Sequence, residues 1–430
     1  MTYNEAVQKI NSLLTFGIKP GLERISELLE RTGSPEKKLR FVHAAGTNGK
    51  GSTCALVSFA LSCAGYKTGL FISPYVLEFR ERFMINGEMI PEKTLSGLVE
   101  KLFPITEDMR AEGKIITEFE FVFAIAVHWY AMEKCDVVVL ETGLGGRFDA
   151  TNVIDTPLVN IITSVSLDHT KILGETYAEI AAEKCGILKP GGVCVAYARQ
   201  QPEAMEVIRH KAAEKNNRLV IADADKAEII SSDIRGTEFI YNGMKLKIRL
   251  IGDHQVRNAV TALEALFALR DRGLSIPDEA INKGFAGTAF PARLELLSEK
   301  PLILLDGAHN PDGAAALSDA VKKYLDGKRR IGLVGMLADK DVGSALSCLA
   351  PLFDMIFTTE PSNPRKMSSS ELREVISPYC GNVTACDSNM AAYKKALAEL
   401  DDKSALVIFG SLYLASDMRK IVLDDLKNGD

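Results

Sequence analysis

The run Phe41-Val-His-Ala-Ala-Gly-Thr-Asn-Gly-Lys-Gly-Ser-Thr53 constrains this chain more than any other stretch. Leu39 to Ala45 is mostly apolar and reads as a buried strand, Gly46 to Gly51 as a glycine turn, and Ser52 to Ala64 as an apolar helix stopped by Gly65. A strand feeding a glycine turn into a helix makes an anion site. The first-turn N–H groups have no acceptor within the helix, and the dipole adds partial positive charge. Glycines let the backbone approach a phosphate with no Cβ in the way. Lys50 can reach outer phosphates, and Ser52 or Thr53 offers a hydroxyl to phosphate or Mg²⁺. Gly46, Thr47, Asn48, Gly49, Lys50, Gly51 and Ser52 are therefore read as nucleotide-binding residues, with Lys50 catalytic.

Length and composition set the frame. At 430 residues the chain implies two or three domains, and 47% hydrophobic residues suffice for a large core. A net charge of −6 argues against a nucleic-acid groove. Met1-Thr-Tyr-Asn-Glu5 lacks the basic and apolar parts of a leader, and the apolar run Phe119 to Met132, broken by His128, is too short to span a bilayer. Eight cysteines without a Cys-x-x-Cys pair are expected to be reduced thiols in a cytoplasmic protein.

Other stretches carry chemistry. Lys67 to Ser73 reads as a strand stopped by Pro74, followed by a charged stretch to Gly87 that is expected to lie outside the core. Cys135 to Glu141 is an apolar strand delivering a carboxylate at its end, which makes Glu141 a metal-ligand candidate. Thr142-Gly-Leu-Gly-Gly-Arg-Phe-Asp-Ala-Thr-Asn152 brings backbone close to a ligand, and its Arg147 suits a carboxylate or a phosphoryl group. The strand Leu158 to Ser166 is followed closely by His169; a lone histidine is more often structural than a ligand. Thr117-Glu-Phe-Glu120 is a capping box. On its residues alone, Lys184 reads as an exposed or ion-paired lysine. Alternating residues around Asn242-Gly243 read as a hairpin, a small antiparallel sheet appended to the first domain. From Pro301 a second α/β run begins, its first strand ending in Asp306-Gly-Ala-His309-Asn-Pro.

The phosphate loop departs from the common form at Ala44, where a glycine is usual. Ala-x-Gly-Thr-x-Gly-Lys resembles the ATP-dependent Mur ligase superfamily, and the Gly-Lys-Gly-Ser ending resembles its folate branch, the folylpolyglutamate and dihydrofolate synthases. Further segments over nearly the whole chain resemble that branch. Ser73-Pro-Tyr is similar to its mobile loop, with Tyr75 replacing the usual His, and implies that Ser73 binds Mg²⁺. Gly143-Leu-Gly-Gly-Arg-Phe-Asp-Ala-Thr-Asn152 implies pterin contacts at Phe148, Asp149 and Ala150, and Thr117-Glu-Phe-Glu120 implies contacts at Thr117 and Phe119. Asp168-His-Thr implies that His169 binds metal, and Glu183-Lys-Cys-Gly-Ile implies that Lys184 is carbamylated and bridges to a second Mg²⁺. Gly252-Asp-His-Gln-Val-Arg-Asn258 and Phe290-Pro-Ala-Arg-Leu-Glu295 imply nucleotide contacts at Asn258 and Arg293, the latter in a hinge where Ala292 replaces Gly. Asp306 and His309 are implied at the adenosine and near the phosphates. Gly21-Leu-Glu-Arg24 is similar to a segment beside the folate site, giving Arg24, and reads equally well as a helix start. Gly335-Met-Leu-Ala-Asp-Lys340-Asp and Phe409-Gly-Ser-Leu-Tyr-Leu414 also fit the pattern.

The resemblance implies an α/β fold: a phosphate-loop Mur-ligase-like domain over residues 1–295 and a smaller Rossmann-like domain over 296–430. It implies a monomer that uses ATP and two Mg²⁺ to join L-glutamate to a folate or to dihydropteroate through an acyl phosphate, after closure brings Asp306 and His309 to the ATP. The catalytic set would be Lys50, Arg147, Lys184 and His309, with Ser73, Glu141, His169 and Lys184 as metal ligands. A dihydrofolate synthase without chain extension is a narrower version. A phosphate-loop nucleotide switch would need a guanine-reading Asn-Lys-x-Asp run, which the sequence lacks. A cell-wall amino-acid ligase would usually carry a substrate domain ahead of a loop that here starts by Gly46.

Overall fold

The computed structural model describes residues 1–17, 19–338 and 341–428, in two compact units. The first comprises residues 1–227, 241–246 and 257–288, and the second residues 228–240, 247–256 and 289–430. Along the chain the two units interleave between residues 228 and 288, and most of the small antiparallel sheet falls in the second.

The first unit is built on eight strands: β1 (Phe41–Ala45), β2 (Thr68–Phe71), β3 (Phe83–Ile85), β4 (Glu88–Met89), β5 (Val137–Glu141), β6 (Val159–Ile162), β7 (Val193–Tyr197) and β8 (Arg218–Ala222). Their order is β4-β3-β2-β5-β1-β6-β7-β8. The six strands from β2 to β8 in that order pair parallel. Every residue of β1, β5, β6 and β7 is buried, as expected for strands covered by helices on both faces. Helices Lys50–Cys63 and Glu118–Met132 are apolar nearly all round, and both are largely buried. The second is closed at its start by a full capping box between Thr117 and Glu120.

One expectation fails in this unit. The charged stretch after Pro74 is not wholly outside the core: Phe79 and Phe83 are buried, and β3 pairs antiparallel with β2. Charged and apolar side chains alternate there, so Phe83 and Ile85 face inward, while Arg82 turns its charge onto Glu118 (Nη1 to Oε1, 2.7 Å).

The small sheet has three strands, not two: β9 (Glu228–Asp233), β10 (Gly236–Tyr241) and β11 (Met244–Ile248), in the order β11-β10-β9. Asn242 and Gly243 take φ of 48° and 77°, the left-handed pair that a two-residue hairpin turn requires.

The second unit carries β12 (Glu295–Glu299), β13 (Leu302–Leu305), β14 (Arg329–Val334), β15 (Met355–Thr358), β16 (Val383–Ala385) and β17 (Ser404–Phe409), in the order β12-β13-β17-β14-β15-β16. Five strands are parallel, as the α/β run from Pro301 implies, and β12 adds antiparallel to β13 at the edge. The Gly335–Asp341 motif lies partly on Asp339 and Lys340, outside the described residues.

Candidate functional site

In the first sheet β1 lies between β5 and β6, so the chain leaves β1 where the strand order reverses. Crevices outside the carboxyl ends of strands at such a point hold ligands in α/β folds. Gly46 follows β1, Glu141 ends β5, Ser73 follows β2 and Thr163 follows β6, so these residues meet at one edge of the sheet.

The phosphate loop is held from outside. Thr47 donates its N–H to Ser164 O (2.7 Å), and its Oγ1 accepts the N–H of Ser166 (3.0 Å). Glycine is required twice. At Gly46 (φ 155°) a Cβ would fall 1.8 Å from Thr163 Oγ1, and at Gly49 (φ 85°) it would fall 2.4 Å from Asn258 Oδ1. Asn258 thus packs against the loop. Gly51 and Ser52 are buried in the first turn of the helix, and Lys50 donates Nζ to Gly46 O (3.0 Å) and Thr47 O (3.2 Å). The same Nζ is 3.8 Å from Glu141 Oε1. The other oxygen of Glu141 accepts the N–H of Ser73 at 3.2 Å.

Lys184 ends helix Tyr177–Lys184 and is only 3% exposed, which overturns the solvent-facing lysine that its residues alone suggest. Burial, with the Lys50 ammonium as a second cause, pulls its pKa down to about 7, while Asp168 and Asp149 oppose the shift. The Gly143–Arg147 loop rests on this helix end. Arg147 donates its N–H to Glu183 O (2.9 Å), its guanidinium is 3.4 Å from the Glu183 carboxylate, and a Cβ on Gly146 would meet Lys184 O at 2.6 Å. His169 stands at φ 52° ahead of the short helix Thr170–Leu173, beside Asp168 and nearly half exposed.

A cavity of about 420 Å³ opens in this unit. Thr117, Phe119, Phe148, Asp149 and Ala150 line it, and so do Ser73 and His169. Five of the six predicted acceptor residues, all but Arg24, and two predicted metal ligands therefore share one space. Phe148 is 51% exposed and offers a ring face, whereas the Asp149 carboxylate is turned inward. It accepts from Leu144 N (2.8 Å), Thr151 N (3.0 Å) and Thr151 Oγ1 (2.5 Å). Arg24 stands behind the wall, its Nη2 3.0 Å from Glu120 Oε1 and donating to Lys19 O at 2.5 Å.

The remaining predicted residues gather in the second unit, past the carboxyl end of β13. Asp306 Oδ2 accepts the N–H of Leu294 and Oδ1 that of Ala308, both at 2.7 Å. Burial raises its pKa to about 6, against the pull of Arg293. Arg293 lies over the Phe290 ring, and His309 Nδ1 is 2.9 Å from Gly307 O. Ala292 is fully buried at φ 55°, so alanine does occupy the left-handed position that a glycine would take without strain.

Residues 44–266 match the Mur ligase middle domain and residues 292–412 the Mur ligase glutamate ligase domain. The chain is 37% identical to the dihydrofolate synthase/folylpolyglutamate synthase of Bacillus subtilis over 97% of its own length and 98% of that protein's. The chain belongs to the Mur ligase family, in its folylpolyglutamate and dihydrofolate synthase branch. Among solved structures, Mycobacterium tuberculosis folylpolyglutamate synthase complexed with ADP superposes on this Mur ligase with a TM-score of 0.89 at 30% identity, covering 98% of this chain and 99% of that one. E. coli FolC in complex with DHPP and ADP gives 0.87 at 30% identity, covering 100% and 99%.

Sequence reasoning missed several residues of this Mur ligase's cavity. Arg82 and Glu118 line it as an ion pair, and Leu144, Ile172 and Leu173 supply apolar wall. Arg82 lies in the charged stretch between Pro74 and Gly87, but its partner Glu118 could not be read from spacing. Among the described residues no helix is long and apolar enough to cross a membrane, and no three His, Cys, Asp or Glu side chains gather as a metal set.

Proposed function

We propose that this chain is an ATP-dependent ligase that joins L-glutamate to a folate through an acyl phosphate, and that dihydropteroate is an acceptor for the same chemistry. The observation that carries the reading is the shared cavity, where Phe119 and Phe148 stand with Ser73, whose N–H is bonded to Glu141 beside Lys50. An acceptor stacked on the aromatic side would point its carboxylate toward the phosphate loop.

In this reading the acceptor carboxylate oxygen attacks the γ-phosphorus, the bond to the β-phosphate oxygen breaks and ADP leaves. The glutamate α-amine then attacks the acyl carbon, its proton passes to solvent or base, and phosphate departs. Lys50 offsets charge on the transferring group, the loop N–H groups and Asn258 hold the phosphate chain, and Arg147 orients a carboxylate. Arg293, Asp306 and His309, all within the second unit, are its candidate nucleotide contacts, with His309 assigned to the phosphates. Thr117, Phe148, Asp149 and Ala150 form the pterin wall, with Arg24 behind it.

The donor set fits Mg²⁺. Ser73 hydroxyl and the Glu141 carboxylate are hard oxygens, and His169 opens on the same cavity. An ammonium at Lys184 would repel a cation, but a pKa of about 7 leaves much of the amine neutral and able to take up CO₂, giving an anionic oxygen donor. Two Mg²⁺ would neutralise charge on the phosphates. Eight free thiols support a cytoplasmic protein, which would work as a monomer.

The test is purified protein with ATP, Mg²⁺, labelled glutamate and either a tetrahydrofolate or dihydropteroate. Label should enter the acceptor in step with ADP release. ATP turnover indifferent to every pterin would refute the reading, and incorporation into dihydropteroate alone would narrow it to dihydrofolate synthesis.

A further inference from the structure

His43 lies in β1, three residues before Gly46, and is fully buried. Its Nε2 is 2.8 Å from Thr151 Oγ1, and that hydroxyl is 2.5 Å from Asp149 Oδ1. Nδ1 of the same ring is buried and has no hydrogen-bond partner among the described residues.

These contacts fix where the protons sit. Besides the Thr151 hydroxyl, the Asp149 carboxylate takes two backbone N–H groups, from Leu144 and Thr151. Burial raises the Asp149 carboxyl above its ordinary range, while the Thr151 hydroxyl and the backbone N–H groups oppose that shift; with only donors directed at it, the carboxylate accepts. The Thr151 hydroxyl therefore gives its proton to Asp149 and must accept from His43. The ring is the Nε2–H tautomer and Nδ1 carries a bare lone pair. The opposite order would bury an unpaired N–H at Nδ1, which folded proteins rarely do. Burial keeps the ring uncharged, its pKa pulled down to about 3.

We propose that His43 is a positioning residue for the acceptor cavity: through Thr151 it holds the Asp149 carboxylate inward, and so sets the 143–150 loop that forms the cavity wall. The link runs from the strand that carries the phosphate loop to the loop that lines the cavity. With Thr151 Oγ1 anchored from the β1 side, Asp149 cannot swing out, and Leu144 N–H stays bonded to it. The functional consequence rests on the folate reading above; the proton order and the loop anchoring do not.

Three measurements on the full chain test this. Nitrogen-15 NMR should find His43 protonated at Nε2 and bare at Nδ1; an Nδ1–H ring would overturn the proposal. Amide hydrogen exchange at Leu144 and Thr151 should speed about tenfold in His43→Phe and Thr151→Val, and stay near wild type in His43→Gln and Thr151→Ser, which keep a donor and a hydroxyl. In steady-state kinetics His43→Phe should raise KM for the folate acceptor about tenfold with KM for ATP within about twofold, and His43→Gln should restore it. Equal effects from Phe and Gln would overturn the proposal, because a role in packing alone would not need the donor. If the wild type transfers glutamate to no pterin, the functional reading fails, while NMR and exchange still decide the role of His43.

Discussion

The Nζ of Lys50 stands 3.8 Å from Oε1 of Glu141, while Oε2 of that carboxylate takes the N–H of Ser73 at 3.2 Å. A phosphate-reaching cation, an acid at a strand end and a hydroxyl residue from a third strand are thus tied together before any ligand is considered. Lys50→Ala should lower kcat by about 100- to 1,000-fold, the scale of losing one charge-stabilising donor. Glu141→Gln keeps the shape and an acceptor for Ser73, and should lose a similar factor with its midpoint of thermal unfolding nearly unchanged. Turnover near wild type in either variant would remove that residue from the catalytic set.

Lys184 supplies a pH test. Its folded pKa of about 7 lies below the ordinary lysine value of 10.5, so the reactive neutral amine grows as pH rises through 7 and disappears below it. Activity should fall as the buffer drops below pH 7 and also in CO₂-free buffer at fixed pH, with bicarbonate restoring it. Lys184→Ala should be inactive and partly rescued by a short carboxylic acid. A Lys184 of unmodified mass in active enzyme would rule out the carbamate.

Ala292 tests backbone strain. It holds φ 55° with its methyl fully buried. Ala292→Gly relieves left-handed strain of about 1–2 kcal/mol but loses a buried methyl and adds chain entropy, about 1 kcal/mol each, so stability should stay within about 1 kcal/mol. Ala292→Val puts a branched Cβ at the same φ and should cost more than about 2 kcal/mol by urea denaturation.

Phe148 and Phe119 separate binding from folding. Phe148 is half exposed, so Phe148→Ala should leave the unfolding midpoint almost unmoved while raising KM for the acceptor about tenfold. At Gly143 an added Cβ would sit 2.6 Å from the Phe119 ring, so Gly143→Ala should displace that ring and raise the same KM. Unchanged acceptor KM in both would place the pterin elsewhere.

Two buried histidines predict acid sensitivity. Desolvation pulls His43 to about 3 and His128 to about 4, both below the unfolded value of 6.5. Between these values the unfolded chain binds more protons than the folded one. The two rings' contribution is therefore complete above pH 6.5 and is lost on acidification, by up to about 1.4 kcal/mol per pH unit for each ring. In urea titrations His43→Gln should show a shallower loss over that window; a slope equal to wild type would mean the ring is not buried neutral.

The sequence alone determined the local pieces and their order. The β1–Gly46–helix unit was legible because a strand, a glycine turn and a helix start are set by neighbouring residues: apolar runs, left-handed φ at Gly49 and free first-turn N–H groups. The Thr117–Glu120 capping box and the Asn242-Gly243 turn were legible for the same reason. The family motifs extended this to candidate roles. Tertiary structure alone decided which of these pieces meet. Ser73 reaches Glu141 because β2 pairs with β5, and His43 reaches Thr151 because the 143–150 loop folds back over the end of β1. Lys184 reads as exposed from its neighbours and is buried because the glycines of that loop let it close on the helix end. The antiparallel strands β3 and β12 escaped notice because their short mixed sequences become strands only when an edge is there to pair with. Hydrogen bonds within a turn are paid in local entropy and leave a local signature; contacts between distant segments depend on how the whole sheet packs, which no window of sequence contains.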